Sequence, residues 1–180
     1  VATANGRFYT IGADKLPGAR GFGEPLGTMI DIEAGNDGLT LLPVTPDGRM
    51  LLAASTGKGF LCKMEDVVAE TRKGRGVVTL KPGARLQVVR LAPAETSDEG
   101  AAKDHYVAVV GDNRKLVIFP MNEIPEMAKG QGVTLQRYKD GGLADAICFR
   151  MSEGLSWAMG GDSGRTRTEN DMSLWRVARG

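Results

Sequence analysis

The sequence predicts an all-β chain built from propeller-like blades, about three to four units of four short strands each, open or truncated. Three observations carry that prediction: an excess of glycine, a string of short apolar runs bounded by turn residues, and a basic-Gly pair that returns at a regular interval. Glycine makes up 25 of 180 residues, against a usual share of about 7%. Without collagen spacing, that density means many tight turns with positive φ. Many turns in a short chain mean many short strands. The basic-Gly pair appears at Arg20-Gly21, Lys73-Gly74, Lys129-Gly130 and Arg179-Gly180, with gaps of 53, 56 and 50 residues. Four short strands in a repeat of about 50 residues is the mark of blades.

Taken in order, the strand signals are "RFYTI" (7–11), "TMIDI" (28–32), "LTLLPV" (39–44), "MLLAAS" (50–55), "GFLCKM" (59–64), "GVVTL" (76–80) and "LQVVRLA" (86–92). Then come "HYVAVV" (105–110), "KLVIF" (115–119), "VTLQRY" (133–138), "ADAICFR" (144–150) and "LSWAM" (155–159). Each is bounded by Gly, Asp, Asn or Pro. Asp47-Gly48 and Asp112-Asn113 read as hairpin turns. "MEDVVAE" and "MNEIPEMA" have room for a helical turn at most, and Pro125 cuts the second short. The acidic "ETSDEG" (95–100) reads as a flexible insertion between strands, with repulsion of DNA or capture of a protein partner as alternatives.

Aligned on the basic-Gly pair, two stretches match along their length. "TGKGFLCKMEDVVAETRKGRGVVTL" from Thr56 and "DNRKLVIFPMNEIPEMAKGQGVTLQ" from Asp112 both read turn, apolar strand, Met, short acidic stretch, then K-G-x-G-V. The repeat divides one domain, 1–180, into units near 5–45, 47–93, 103–150 and 151–180. Three units and a worn fourth are too few for a closed ring of usual size. The chain starts at Val1 and stops on a repeat motif, as an excised fragment would.

Net charge is +1, so the overall balance points to no partner. The distribution does. Residues 71–94 hold six basic side chains (Arg72, Lys73, Arg75, Lys81, Arg85, Arg90) and no acid. A local stripe acts on a polyanion whatever the distant charges, because fields are screened within about 10 Å. Duplex DNA carries about one charge per 1.7 Å of axis, and a basic turn on each blade would space cations along a bent duplex. Glycine lets backbone amides approach phosphate oxygens, as in an anion nest. Arg and Lys add charge and hydrogen bonds to phosphate, which position without reading sequence. Arg72, Lys73 and Arg75 lead the candidates. Lys58, Lys63, Lys115, Lys129, Arg137 and Lys139 are further rim positions, and Arg20 could equally pair with Glu24. The competing readings are ordinary solvated turns, or a propeller that docks a protein.

Other chemistries find little support. Cys62 and Cys148 make no disulfide framework and no CxxC, and each lies in an apolar run as a reduced, half-buried thiol. "GGDSGR" (160–165) resembles the surroundings of a nucleophilic serine, Ser163. A triad also needs a histidine oriented by a carboxylate, and the one histidine, His105, lies beside the acidic stretch and reads as a strand-edge residue. A polar hairpin turn is the better reading. No metal cluster or phosphate loop is visible, nor any apolar run of the roughly 18 residues a membrane span needs. Trp157 and Trp175 read as blade-core anchors rather than base-stacking platforms.

"KLPGARGFGEPL" (15–26), "TRKGRGV" (71–77) and "AKGQGV" (128–133), in that order and at blade spacing, resemble the C-terminal domain of the A subunits of bacterial type IIA topoisomerases, the gyrase and topoisomerase IV pair. The gyrase branch carries a box reading Gln-Arg-Arg-Gly-Gly-Lys-Gly. Here Thr71 stands for Gln, Arg72 and Lys73 for the arginines, Gly74 for the first Gly, and Arg75-Gly76 for Lys-Gly. The second Gly is missing, which favours the topoisomerase IV branch. The resemblance implies a β-pinwheel whose neighbouring blades exchange a strand, with a basic rim that binds and bends double-stranded DNA. It implies two protein partners, the catalytic core of the same polypeptide and the ATPase subunit of the holoenzyme; a protein regulator belongs to the competing reading, a propeller that docks a protein. It implies no cofactor for this domain, ATP and Mg being used by the parent enzyme. Decatenation, supercoil relaxation and chromosome segregation in a cytoplasmic, nucleoid-associated enzyme follow from the same resemblance.

Overall fold

The computed structural model describes residues 1–18, 20–36, 39–160, 164–173 and 175. Its strands are β1 (Ala2–Thr3), β2 (Arg7–Phe8), β3 (Leu39–Thr40), β4 (Arg49–Ala54), β5 (Lys58–Lys63), β6 (Arg75–Gly76) and β7 (Leu86–Ala92). They continue with β8 (His105–Gly111), β9 (Leu116–Pro120), β10 (Val133–Thr134), β11 (Leu143–Arg150), β12 (Leu155–Ala158) and β13 (Thr166–Glu169). All pairings between strands are antiparallel. The sheets run β3-β1-β2-β6, β10-β5-β4-β7, β11-β8-β9 and β12-β13. Among the described residues, two α-helical turns, α1 (Met64–Val67) and α2 (Glu99–Lys103), and three 3-10 turns interrupt them.

A sheet is not a continuous stretch of chain. β6 follows the β4–β5 hairpin but pairs with β2, Arg7 opposite Gly76. β10 follows the β8–β9 hairpin but pairs with β5, Val133 opposite Gly59. Each K-G-x-G-V segment therefore closes the preceding sheet, and the strand exchange of a pinwheel is present. The repeat extends to single hydrogen bonds. Gly6 N–H donates to Thr3 O and Gly57 N–H to Ala54 O, each at 2.9 Å. Val78 N–H donates to Gly6 O at 3.1 Å, and Leu135 N–H to Gly57 O at 2.8 Å. Leu61 N–H reaches Pro125 O and Ile118 N–H reaches Trp175 O, both at 3.0 Å.

Period-2 alternation explains the layering, since successive side chains leave a strand on opposite faces. Met50 and Leu52 of β4, with Phe60 and Cys62 of β5, face a core shared with Phe8 and Val77. Leu51, Ala53 and Leu61 face the other way, into a core with Val107, Val109, Phe119 and Leu143. Ala108 and Ile118 then face a third core with Leu155 and Met172. The middle sheets thus have both faces buried, which is why β4 and β8 read as unbroken apolar runs rather than alternating ones.

Several expectations need correcting. Residues 28–32 form no strand. A 3-10 turn at Leu26–Thr28 is followed by bonds from Met29 and Ile30 N–H to Leu26 O, and buried Ile30 is an anchor rather than a ladder residue. The acidic stretch does lie as an insertion between β7 and β8, and its end enters a helical turn: Asp98 caps α2 by accepting from Gly100 and Ala101 N–H, the usual role of Asp at that position. Asp47-Gly48 is a turn but not a hairpin, because β3 and β4 beside it lie in different sheets. The β4–β5 hairpin turns instead at residues 55–57, while Asp112-Asn113 does turn the β8–β9 hairpin. His105 opens β8, the central strand of its sheet, and is buried. β13 carries no apolar alternation and had no signal. Arg179-Gly180 and Asp162-Ser163 lie outside the described residues.

Candidate nucleic-acid interface

The K-G-x-G turns are shaped by backbone packing. Gly74 has φ +67, and a Cβ there would stand 2.6 Å from both Phe8 O and the Tyr9 ring. Gly132 has φ +73, and its Cβ would stand 2.0 Å from Gly59 O. The glycines permit the closing strand to approach its sheet. The nest expectation fails here, since Gly74 N–H donates to Thr71 O and Gly130 N–H to Val77 O, both at 3.0 Å. Those amides face protein. Any grip on phosphate falls to the side chains.

The fold brings the two complete turns together. Gly130 forms a parallel bridge with Val78, donating to Val77 O and accepting from Thr79 N–H. Val77 lies two residues past Arg75, so Lys129 joins the same neighbourhood as Lys73 and Arg75. These three side chains are exposed, and none has a carboxylate within ion-pair distance among the described residues. Arg7 braces the turn from beneath, donating to Lys73 O at 2.6 Å and Gly74 O at 3.2 Å.

Arg72 is placed differently. Its guanidinium pairs with Asp31 at 3.3 Å and donates to Gly27 O at 3.5 Å, while Asp31 N–H donates to Arg72 O at 2.8 Å. Lys63 lies 3.7 Å from Glu126, which also pairs with Arg49 at 2.9 Å. Arg20 is exposed and makes no ion pair with Glu24. Lys58, Lys115, Arg137 and Lys139 form a second group near the β4–β5 and β8–β9 hairpin turns. Lys58 opens β5 opposite Thr134, and Gln136 donates to Lys115 O at 3.3 Å. The Tyr138 ring, between Arg137 and Lys139, packs against Gly57 and Gly111 of those hairpins. The strands carry the two groups to different places: β6 runs from the Lys73 turn at Tyr9 toward the β1–β2 turn, and β10 runs toward the β4–β5 turn.

A family model described as DNA gyrase C-terminal domain, beta-propeller, matches residues 49–92 and 105–146. Those spans hold β4, β5, β7, β8, β9 and the first half of β11 in the framework just described. The A subunit of DNA topoisomerase 4 from Rickettsia bellii is 38% identical over 162 residues, 89% of this chain and 20% of that protein. Its counterpart from Caulobacter vibrioides is 34% identical over 180 residues, covering 97% of this chain and 21% of the relative. The chain belongs to the C-terminal domain family shared by the A subunits of gyrase and topoisomerase IV. It spans about a fifth of the length of these relatives. Among solved structures, the E. coli ParC C-terminal domain superposes with a TM-score of 0.80 at 23% identity, covering 99% of this chain and 72% of that one. The C-terminal domain of DNA topoisomerase IV gives a TM-score of 0.72 at 14% identity, covering 99% of this chain and 55% of that one. Both show the shared pinwheel fold.

Within this family fold, sequence reasoning missed two basic residues of the same surfaces. Arg7 acts through its contacts to the Lys73 turn, 66 residues away. Arg114 stands exposed at the β8–β9 turn with φ +62, and its place inside "DNRK" was the available signal. Trp157 is no core anchor: it is 41% exposed, with the Arg167 guanidinium 5.8 Å from its ring centroid. Trp175 packs against the third core. Burial pushes both thiols, Cys62 and Cys148, up to about 12, and Cys62 is wholly buried rather than half-buried. No metal-ligand cluster occurs among the described residues, and no described helix is long and apolar enough to cross a membrane.

Proposed function

We propose that this chain is a non-catalytic module, from the A subunit of a topoisomerase IV, that binds and bends double-stranded DNA. The observation that carries the reading is the junction of the two complete turns, where Gly130 bridges Val78 and Lys73, Arg75 and Lys129 are exposed with no carboxylate partner among the described residues. Three adjoining cations on a braced backbone suit phosphates, and affinity gained this way carries little sequence preference. Cations at the hairpin turns, Lys58, Lys115, Arg137 and Lys139, extend the contact along a bent duplex, whose deformation is offset by added phosphate contacts. Arg20, Lys63 and Arg72 are secondary contacts, the last two sharing their charge with Glu126 and Asp31.

In the parent enzyme the module would steer a DNA segment toward the catalytic core of its own polypeptide. The ATPase subunit would supply ATP and Mg chemistry, with no cofactor held here. Decatenation and supercoil relaxation in a cytoplasmic, nucleoid-associated enzyme would follow, and chromosome segregation with them. A docking site for a regulator is the competing reading, favoured by exposed Leu41 and Leu91.

The test is fluorescence anisotropy of a labelled duplex across a salt series, with Arg72, Lys73 and Arg75 replaced together by alanine. Each phosphate contact contributes about 0.9 to the log–log slope. Because Arg72 is already paired, the expected loss is about 1.8 rather than about 2.7. A wild-type chain with no salt-dependent binding would overturn the DNA reading and leave the regulator reading standing.

A further inference from the structure

Residues 12–18 and 20–28 form a long, largely exposed segment between β2 and β3. In its middle, Phe22 is 112% exposed, more than any other large apolar side chain described. An aromatic ring this exposed forgoes the burial that would stabilise it. The segment is not loose at its foot. Ile30 is buried, Thr28 N–H donates to Pro25 O at 3.0 Å, and Asp31 and Gly27 hold Arg72. The foot is therefore fastened to the turn that carries Lys73 and Arg75. Phe22 lies five residues from Gly27, within about 17 Å by extended-chain reach. That distance is less than the width of a duplex.

We propose that Phe22 is an apolar wedge that enters a base step of the duplex held at the Lys73–Arg75 turn, with Arg20 on a flanking phosphate. The proposal rests on the DNA-binding reading above and adds the means of bending. Apolar side chains that enter a base step partly unstack it and kink the duplex. The ring regains burial only when something closes around it, and the flat faces of a base step do so. Asp14 and Glu24 balance Lys15 and Arg20 in this segment, so the segment adds no net attraction of its own. The basic turn brings the duplex, and the ring acts on it. A single ring suits a duplex step, whereas tracking a single strand calls for successive aromatic platforms.

The experiment compares the 180-residue chain with Phe22→Ala and Phe22→Trp. Each is titrated into a duplex carrying donor and acceptor dyes at its ends, at two salt concentrations. Phe22→Ala removes no charge and no packing, so its fold and salt slope stay as in the wild type. Its affinity should fall about tenfold, the scale of one lost stacking contact, and the end-to-end energy transfer should return toward that of free DNA. Phe22→Trp should restore the bend, and its added indole emission should be quenched by duplex beyond the change seen from Trp157 and Trp175. If Phe22→Ala binds and bends as the wild type does, the wedge is wrong and the DNA reading survives. If the wild type shows no salt-dependent binding, both fall.

Discussion

Replacing Gly132 by alanine tests the claim that the glycines of the repeated turn serve strand exchange. A Cβ at this position would stand 2.0 Å from Gly59 O and 3.0 Å from Gly59 Cα, with φ at +73. The left-handed backbone alone costs an alanine about 1–2 kcal/mol. Relieving the contact requires β10 to retreat from β5 by more than an ångström, on the order of the gap to ordinary van der Waals separation. The bond from Leu135 N–H to Gly57 O, 2.8 Å long, then breaks, a loss of about 1 kcal/mol. Leu135, buried in the second core, gives up part of a burial worth about 1.5–3 kcal/mol. The sum is about 4 kcal/mol, a large share of the 5–15 kcal/mol that is typical for a domain. Gly83 supplies the control, with φ +78 and nothing within 4 Å of its Cβ. Gly83→Ala should cost about 1–2 kcal/mol, the backbone term without the contact. Urea unfolding followed by circular dichroism gives both values from the midpoints and slopes. A Gly132→Ala chain no less stable than Gly83→Ala would refute the close-approach argument.

Side-chain partners yield two more predictions. Asp31→Asn releases Arg72 from an exposed pair; stability should change by less than about 1 kcal/mol, while the salt slope for duplex binding steepens by about 0.9, and an unchanged slope would remove Arg72 from the interface. His105 has its pKa lowered by burial first and by Arg150 second, against a raising effect of Asp104. Its folded pKa lies below the unfolded value of about 6.5, so the unfolded chain takes up the proton first. The neutral form's stability is full above that value and is lost as pH falls through it toward the folded pKa. Urea midpoints at pH 7.5 and 5.5 should therefore separate more for the wild type than for His105→Gln, and equal separations would contradict the assignment.

The strands legible in the sequence are the longer ones that carry apolar runs. β4, β5, β7, β8, β9 and β11 each lie within a residue of the expected bounds, because continuous apolar runs between turn residues leave little choice. The signals at 76–80 and 133–138 marked the closing strands β6 and β10, but these are two residues long, and their pairing partners lie in an earlier hairpin, so no local pattern announces which sheet they close. The same reason hid the partners of the basic stripe. It is free of acids along the sequence, yet Asp31 reaches Arg72 across 41 residues and Asp145 reaches Arg90 across 55. Lys73 and Arg75 kept their freedom through topology. The glycines were correctly located, but their role was assigned to phosphate when the neighbouring backbone claims them, as the Gly132–Gly59 approach makes plain.

The exchange of strands also sets an order of assembly. β6 is synthesised after β4 and β5, yet it finishes the sheet begun by β1 and β2. β10 likewise emerges after β8 and β9 and finishes the sheet of β4 and β5. A nascent chain halted at Glu70 would hold five strands and no finished sheet. Each hairpin must wait for its successor to leave the ribosome, and a closing strand that arrives late is free to complete the same sheet in a second molecule. Vectorial folding and domain swapping are thus two outcomes of one topology, separated by how soon the next hairpin appears.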